Sequence, residues 1–254
     1  MPQYAFGAGN LFATPKQDAT GAAISNPTPV KFGALQDISV DISFDLKTLH
    51  GSNQFPLAIG RGKGKISGKA SFAQLNGLML NSLLFGQTTS NGILSDVVDT
   101  TGALIPTTPF TITPTVPNSG TWSADLGVLD ANGIAMTRVA SAPATGQYSV
   151  SAGVYTFAAA DTGLKVFINF QYTATSTSAI KSTVQNVLMG YAPTFQADLY
   201  TSYGGKSLIL TLPQCVSTKL SLATKLDDFV MPSFDFEAFA DSLGNVATWA
   251  LTDK

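Results

Sequence analysis

The sequence contains few residues that could carry out chemistry: one histidine, His50, and one cysteine, Cys215. A histidine-based catalytic triad or a zinc site would have to use His50, and no cysteine or carboxylate cluster stands at metal-ligand spacing around it. Cys215 has no second cysteine for an intramolecular disulfide, and its apolar neighbours from 210 to 216 indicate a small buried hydrophobe. We therefore expect His50 in an exposed polar loop and Cys215 in the core.

The run 61–69 alternates glycine with lysine and has the composition of a phosphate-binding loop. In that motif Gly68 and Lys69 would require a glycine at position 63 and a hydroxyl residue at position 70. The chain has Lys63 and Ala70 there, so the spacing excludes this motif.

Two groups of carboxylates could be proposed as the acid pair of a glycoside hydrolase: Asp227 with Asp228, and the set of Asp235, Glu237 and Asp241. Such an enzyme needs two carboxyl groups at a defined separation, and nothing in the sequence fixes one. We therefore expect no enzymatic activity, no metal and no cofactor.

The composition indicates a surface with unusually little charge. Lys and Arg number 14 against 16 Asp and Glu, a net charge of -2, which is too balanced for a protein that grips nucleic acid. Only 12% of the residues are charged, about half the usual share of about 25%. Either the surface is rich in uncharged polar residues, or other chains cover much of it. The longest apolar stretch, 77–85, is too short to span a bilayer, and residues 1–13 lack the features of a secretory signal.

The elements that would position the charged residues are two alternating segments. Ile38, Val40, Ile42, Phe44 and Leu46 alternate with polar residues, which predicts a half-buried strand. A second alternating segment begins at 61, after a loop over 47–60. If the two strands form a hairpin, one face carries the charged residues Asp37, Asp41, Asp45, Arg61, Lys63, Lys65 and Lys69. That face is either a charge-neutral solvated surface or a surface that a neighbouring subunit completes.

The remaining pattern predicts a mainly β protein of the sandwich or barrel type. One helix is predicted over about 71–85, with Ser71 as N-cap and Gly86 just past its end. Residues 1–33 are predicted to form an extended N-terminal arm. The Thr/Pro-rich stretch 87–121 is predicted to form loops or edge strands. Further strands are predicted at 128–130, 147–150, 154–157, 165–173, 195–200, 207–212, 234–241 and 246–251.

Three stretches, in order, resemble the major tail tube protein of long-tailed, non-contractile bacteriophages. They are 29–69, continuing into the predicted helix, then 146–163, and then 219–237. Together they cover well over half of the chain. None is a chemical motif, so the resemblance depends on the ensemble.

The resemblance implies a single tail-tube domain over 1–254, with a β-sandwich or barrel fold, one flanking helix, a long hairpin loop and the N-terminal arm. It implies hexameric rings that stack into the pipe for viral DNA, in the virion tail, assembled in the host cytoplasm. The expected partners are further copies of the chain, tape-measure, tail terminator and distal tail proteins, and DNA that passes without specific binding. No membrane insertion is expected.

The family's ring-to-ring contacts would fall on the arm over 1–33 and the hairpin loop over 47–60, and the stretch 87–121 would be an elaboration. The candidate inter-ring residues are Lys47, His50, Phe55, Pro56, Phe6 and Phe12. Because DNA must slide, unpaired carboxylates in the lumen would repel its phosphates, and Asp235, Glu237 and Asp241 are the lumen-facing candidates.

An alternative interpretation is a β-sandwich carbohydrate-binding or adhesin-like virion decoration. It predicts a monomer or trimer with exposed aromatic residues, and the chain has only two tryptophans, Trp122 and Trp249.

Overall fold

The computed structural model describes residues 7–74 and 76–253. The protein is mainly β, with 55% of its residues in strands and 6% in helices, and it contains several sheets and one short helix. The predicted fold class is therefore confirmed. The strands in chain order are β1 (Asn10–Gln17), β2 (Val30–Lys31), β3 (Gly33–His50), β4 (Pro56–Gln74), β5 (Thr89–Asn91), β6 (Ile93–Val97), β7 (Ala103–Leu104), β8 (Thr111–Ile112), β9 (Thr121–Asp130), β10 (Thr137–Arg138), β11 (Gln147–Ser151), β12 (Val154–Phe157), β13 (Lys165–Ala174), β14 (Ile180–Ser182), β15 (Thr194–Tyr203), β16 (Lys206–Ser221), β17 (Ser233–Ala238) and β18 (Thr248–Asp253).

The chain that the sequence analysis treated as one domain divides into two compact units. The first consists of the chain up to Thr88 together with the chain from Ser182 onward, and the second is Thr89–Lys181. The physical reason is that each unit buries its own hydrophobic core, and the two cores share no residue. The Thr/Pro-rich stretch 87–121 therefore lies almost wholly within the second unit and makes up only a part of it.

The first unit is built on an eight-stranded sheet in the order β2-β1-β15-β16-β17-β4-β3, with β18 also paired to β16. Its core is filled by aromatic side chains from facing strands, among them Phe72, Phe195, Phe234 and Phe236. The alternation predicted for the C-terminal strand places Phe234 and Phe236 inward, but β17 ends at Ala238 and Asp241 lies beyond it.

Two sequence predictions for the first unit are wrong in extent. The described part of the predicted arm, residues 7–33, is not simply extended, because β1 pairs with both β15 and β2, and Leu11, Ala13 and Phe32 are buried in the core. The beginning of the predicted arm, residues 1–6, lies outside the described residues. In the sequence only a short alternation, interrupted by Pro15, marks β1, so the pattern does not predict this strand.

The predicted helix over 71–85 is shorter than expected. Strand β4 continues through Gln74, and the helix α1 covers Gly77–Leu80 and passes directly into a π-helical turn at Asn81–Phe85. Its N-cap is Asn76, not Ser71, because the Asn76 side chain accepts hydrogen bonds from the backbone N–H groups of Leu78 and Met79.

The second unit contains two four-stranded sheets. One has the strand order β10-β11-β12-β8, and in the other β13 pairs with β6, β7 and β9. Val166, Ile168, Phe170 and Tyr172 of β13 are buried, as their alternation predicts. Short 3-10 turns occur at Pro117–Ser119 and Ala159–Asp161. The first and last strands of this segment, β5 and β14, pair with each other.

Candidate assembly surface on the hairpin of β3 and β4

The long hairpin of β3 and β4 leaves the sheet partway along its length. Ile66 is the last residue of β4 that pairs with β17, and Ile42 lies opposite it on β3. Beyond this pair the ladder continues to His50 and Pro56, so only residues 51–55 form the turn. The loop predicted over 47–60 is therefore mostly strand. We call residues 43–65 the distal hairpin.

The distal hairpin is packed on neither face. Every residue of it except the half-buried Pro56 is exposed to solvent. The large apolar side chains among them are Phe44, Leu46, Leu49, Phe55, Leu57 and Ile59. A two-stranded ribbon with exposed apolar side chains and no supporting layer is marginally stable by itself in water. The distal hairpin therefore offers an apolar surface that no other part of the described chain covers.

Most of the predicted inter-ring residues lie in this segment. His50, the last residue of β3, lies opposite Pro56, and Lys47 lies opposite Gly60. The Phe55 ring is 80% exposed in the turn. Phe12 lies elsewhere, on β1, where its ring contacts the Lys31 ammonium at 5.9 Å from the ring centroid. Phe6 lies outside the described residues.

The base of the hairpin carries an alternating pattern of charge. Asp41 lies opposite Ser67, and Lys65 and Lys69 are the nearest residues of β4 on the same face as Ser67. Asp37 lies opposite Ser71. Because residues opposite each other point to the same face, the register brings these acidic and basic side chains together on one face. Asp45 and Lys63 lie at an irregularity in the ladder, between the pairs of Phe44 and Leu46.

The same irregularity moves Arg61 away from the lysines. It places Arg61 opposite Leu46, and its guanidinium carbon lies 4.6 Å from the centroid of the Phe44 ring. The expectation that Arg61 shares a face with Lys63, Lys65 and Lys69 is wrong, because an extra residue on β4 reverses the side on which the following side chains lie.

Two of the three acidic residues proposed for a lumen, Glu237 and Asp241, have partners. Glu237 forms an ion pair with Lys65 at 2.7 Å. Asp235 lies opposite both Lys69 and Lys219 in the register, but its Oδ1 atom is buried without a hydrogen-bond partner among the described residues. Asp241 accepts hydrogen bonds from the backbone N–H groups of Leu243 and Asn245, which close a turn and lower the pKa of its carboxyl group. The base of the hairpin and β17 together form a mixed-charge face instead of an acidic one.

The second unit contains a buried polar cluster that the sequence analysis did not find. The Asp125 carboxylate, whose side chain is 3% exposed, accepts hydrogen bonds from the Tyr148 hydroxyl at 2.7 Å and the Tyr155 hydroxyl at 3.1 Å. Arg138 lies 3.6 Å away, and the Trp122 indole donates to the Tyr155 hydroxyl. No sequence spacing indicates this cluster, since its members come from four separate strands.

Cys215 is buried, as its sequence context predicts. His50 is exposed as predicted, but it is the last residue of β3 and not part of a loop. Burial raises the pKa of the Cys215 thiol to about 12. Among residues 7–74 and 76–253 no group of three or more His, Cys, Asp or Glu side chains is arranged to hold a metal ion. No helix in that part of the chain is long and apolar enough to cross a membrane.

The sequence matches no protein-family model and no curated protein.

Proposed function

We propose that this chain is a structural protein of a bacteriophage virion that assembles with copies of itself, as stacked hexameric rings, into a tail tube that conducts viral DNA. The observation that carries the proposal is the distal hairpin, which is long, paired as a ribbon, and apolar without a covering layer. Its exposed side chains require a partner, and in a tube that partner is a neighbouring copy.

The sheet of the first unit supports the same proposal. The outer edge of β4 has no partner strand among the described residues before Ile66, where β17 begins to pair with it. Unpaired edges of this length favour pairing with another chain. Closure of such edges around a ring removes them, and stacking without closure gives an open filament.

The mixed-charge face is compatible with a conduit for DNA. It would act by offering phosphates no continuous positive surface, whereas the acidic lumen that the sequence suggests would act by repelling them. Lys65 and Lys69 alternate there with Asp41, Asp235 and Glu237. A face with alternating charge presents no continuous cationic track, so phosphates are not held strongly. The lumen candidates Asp235, Glu237 and Asp241 therefore remain part of the proposal, with Glu237 acting as one half of an ion pair.

The remaining parts of the proposal are those of a virion component. The chain acts without enzymatic activity, in the phage tail, after assembly in the host cytoplasm. It meets tape-measure, terminator and distal tail proteins at the ends of the tube.

The proposal is tested by electron microscopy of the purified chain and of a variant in which residues 47–60 are replaced by an Asn-Gly turn. The native chain is expected to form rings or tubes. The variant is expected to keep its circular dichroism spectrum and to remain dispersed, because the deletion removes only the end of the ribbon and its turn, where every residue except the half-buried Pro56 is exposed. Dispersed native protein, or normal tubes from the folded variant, contradicts the proposal.

The alternative of a carbohydrate-binding or adhesin-like decoration has one observation in its favour. Trp249 is 67% exposed on β18, at the edge of the sheet, where an aromatic ring is able to stack on a sugar. This function predicts a monomer or trimer that binds glycans and loses that binding in a Trp249→Ala variant. Glycan binding that survives this substitution contradicts it.

A further inference from the structure

The tip of the distal hairpin, residues 46–61, carries positive charge only. Lys47 and Arg61 are its cations, and no acidic residue occurs between 46 and 61. Lys47 makes no ion pair with any residue of the described chain. The tip therefore combines uncompensated positive charge with exposed apolar side chains, of which Phe55 and Leu57 lie nearest the turn.

The loop 222–232, between β16 and β17, has the complementary chemistry. Leu226 is 98% exposed and Phe229 is 88% exposed. The loop is ordered by its own contacts, since Lys225 forms an ion pair with Asp228 at 3.7 Å and the Asp228 carboxylate accepts the Phe229 N–H at 2.8 Å. Asp227 is exposed and makes no ion pair within residues 7–74 and 76–253. The loop thus presents two apolar side chains beside one uncompensated negative charge.

The hairpin tip and this loop lie at opposite ends of the same strand. Strand β4 begins at Pro56, next to the tip, and Ser71 near its other end pairs with Ser233, which directly follows the loop. The backbone N–H of Phe72 also donates to the carbonyl of Pro232. At about 3.3 Å per residue, the stretch of β4 from Pro56 to Ser71 spans about 50 Å. The two surfaces are therefore too far apart to meet within one molecule.

We propose that the tip of the distal hairpin of one copy docks on the loop 222–232 of a second copy of this chain. This inference rests on the proposed function and names the surface that receives the hairpin. Lys47 approaches Asp227, and Phe55 and Leu57 pack against Leu226 and Phe229. Because the two surfaces differ and lie at opposite ends of β4, the contact is head-to-tail, and wherever it does not close into a ring it continues from copy to copy.

The two kinds of side chain have separate roles in this contact. The apolar side chains supply most of the favourable free energy, since their area leaves water on docking. The opposite charges choose the partner surface and set the register of the contact.

A crosslinking experiment tests which surfaces meet. His50→Cys and Asp227→Cys are introduced together, and Cys215 is buried and stays unreactive. A short bis-maleimide is expected to join chains into dimers and higher multimers. A His50→Cys, Leu243→Cys chain is the matched control, because Leu243 is 83% exposed in a different turn. Assembled particles that crosslink in the control but not through position 227 overturn the inference.

A charge-reversal experiment tests the role of the ion pair. Lys47→Glu alone and Asp227→Lys alone are each expected to raise the protein concentration needed for assembly by about tenfold. The chain with both reversals is expected to assemble near the native concentration, since every contact again joins opposite charges. Lys63→Glu, which changes the same hairpin by the same charge closer to its base, is the control. A double variant that assembles no better than the weaker single variant overturns the inference.

The outcomes separate this inference from the proposed function. Tubes that form without the crosslink or the charge rescue leave the proposed function standing and remove this contact. A native chain that forms no particles, together with a His50→Cys, Asp227→Cys chain that forms no crosslinked multimers, removes both.

Discussion

At the scale of single residues, the glycines of β4 have a packing role. Gly68 lies between β3 and β17, opposite Phe236, and a Cβ atom at Gly68 would fall 2.2 Å from the Phe236 ring. At Gly64 the same atom would fall 2.9 Å from the Phe44 ring. At Gly64 and Gly68 the glycines of the run 61–69 thus have a structural reason, because an aromatic ring on a neighbouring strand lies across each of them, whereas Gly62 lies against Asp45 and Lys47.

Gly68→Ala is therefore expected to lower the free energy of unfolding of the first unit by about 1–3 kcal/mol, because the methyl group forces the buried Phe236 ring to move. Denaturant unfolding followed by circular dichroism measures the change. Gly60→Ala is the control, since a Cβ atom there meets nothing within 4 Å. Equal midpoints for the two variants would show that the ring is free to move.

At the scale of elements, the second unit depends on contacts that join four strands. The carboxylate of Asp125 on β9 accepts hydrogen bonds from the hydroxyl groups of Tyr148 on β11 and Tyr155 on β12. Arg138 of β10 lies beside it. Burial raises the pKa of Tyr148 and raises the pKa of Tyr155 to about 12. In an unfolded chain a tyrosine titrates near pH 10. The folded state therefore holds protons that the unfolded state releases above pH 10.

It follows that the second unit keeps this contribution to its stability below about pH 10 and loses it as the pH rises toward 12. Thermal unfolding at a series of pH values, with tyrosinate absorbance recorded in parallel, measures the loss. A Tyr148→Phe, Tyr155→Phe chain is expected to depend less steeply on pH in this range, and Tyr191→Phe, at an exposed position in the first unit, is the control. A double variant with the native pH dependence contradicts the assignment.

At the scale of the whole molecule, the second unit is an insertion in the chain of the first. The first unit is completed only by strands that follow Lys181, and the paired strands β5 and β14 bring the ends of the insertion together. Paired strands lie about 4.8 Å apart, so a short linker is able to replace the whole segment. The low charge of the chain fits the proposed assembly with copies of itself, because the distal hairpin and the loop 222–232 expose apolar side chains that a neighbouring copy would cover.

A chain in which Thr89–Lys181 is replaced by a short Gly/Ser linker is expected to fold. The reason is that it keeps every residue of the core that contains Phe72, Phe234 and Phe236. Size-exclusion chromatography and cooperative denaturant unfolding check this expectation. A matched chain that lacks β17 and β18, residues 233–253, is the control and is expected not to fold, since it removes part of that core. An excised chain that unfolds without cooperativity would show that the first unit needs the insertion.

The sequence by itself determined the mainly β class, most of the strands and the inward residues of β13 and β17. Alternation reports which side chains leave water, and this depends on local spacing alone. It also predicted the hairpin of β3 and β4, although with a loop far longer than the actual turn.

Only the tertiary structure decided the division into two units, the place of β1 in the sheet, the late start of α1 and the cluster around Asp125. These features depend on contacts between residues far apart in sequence. It also decided that Glu237 pairs with Lys65 and that the distal hairpin is uncovered on both faces. Both depend on which strands lie side by side. A single-residue irregularity such as the one beside Arg61 also moves a side chain to the other face of the sheet, and the sequence pattern does not show it.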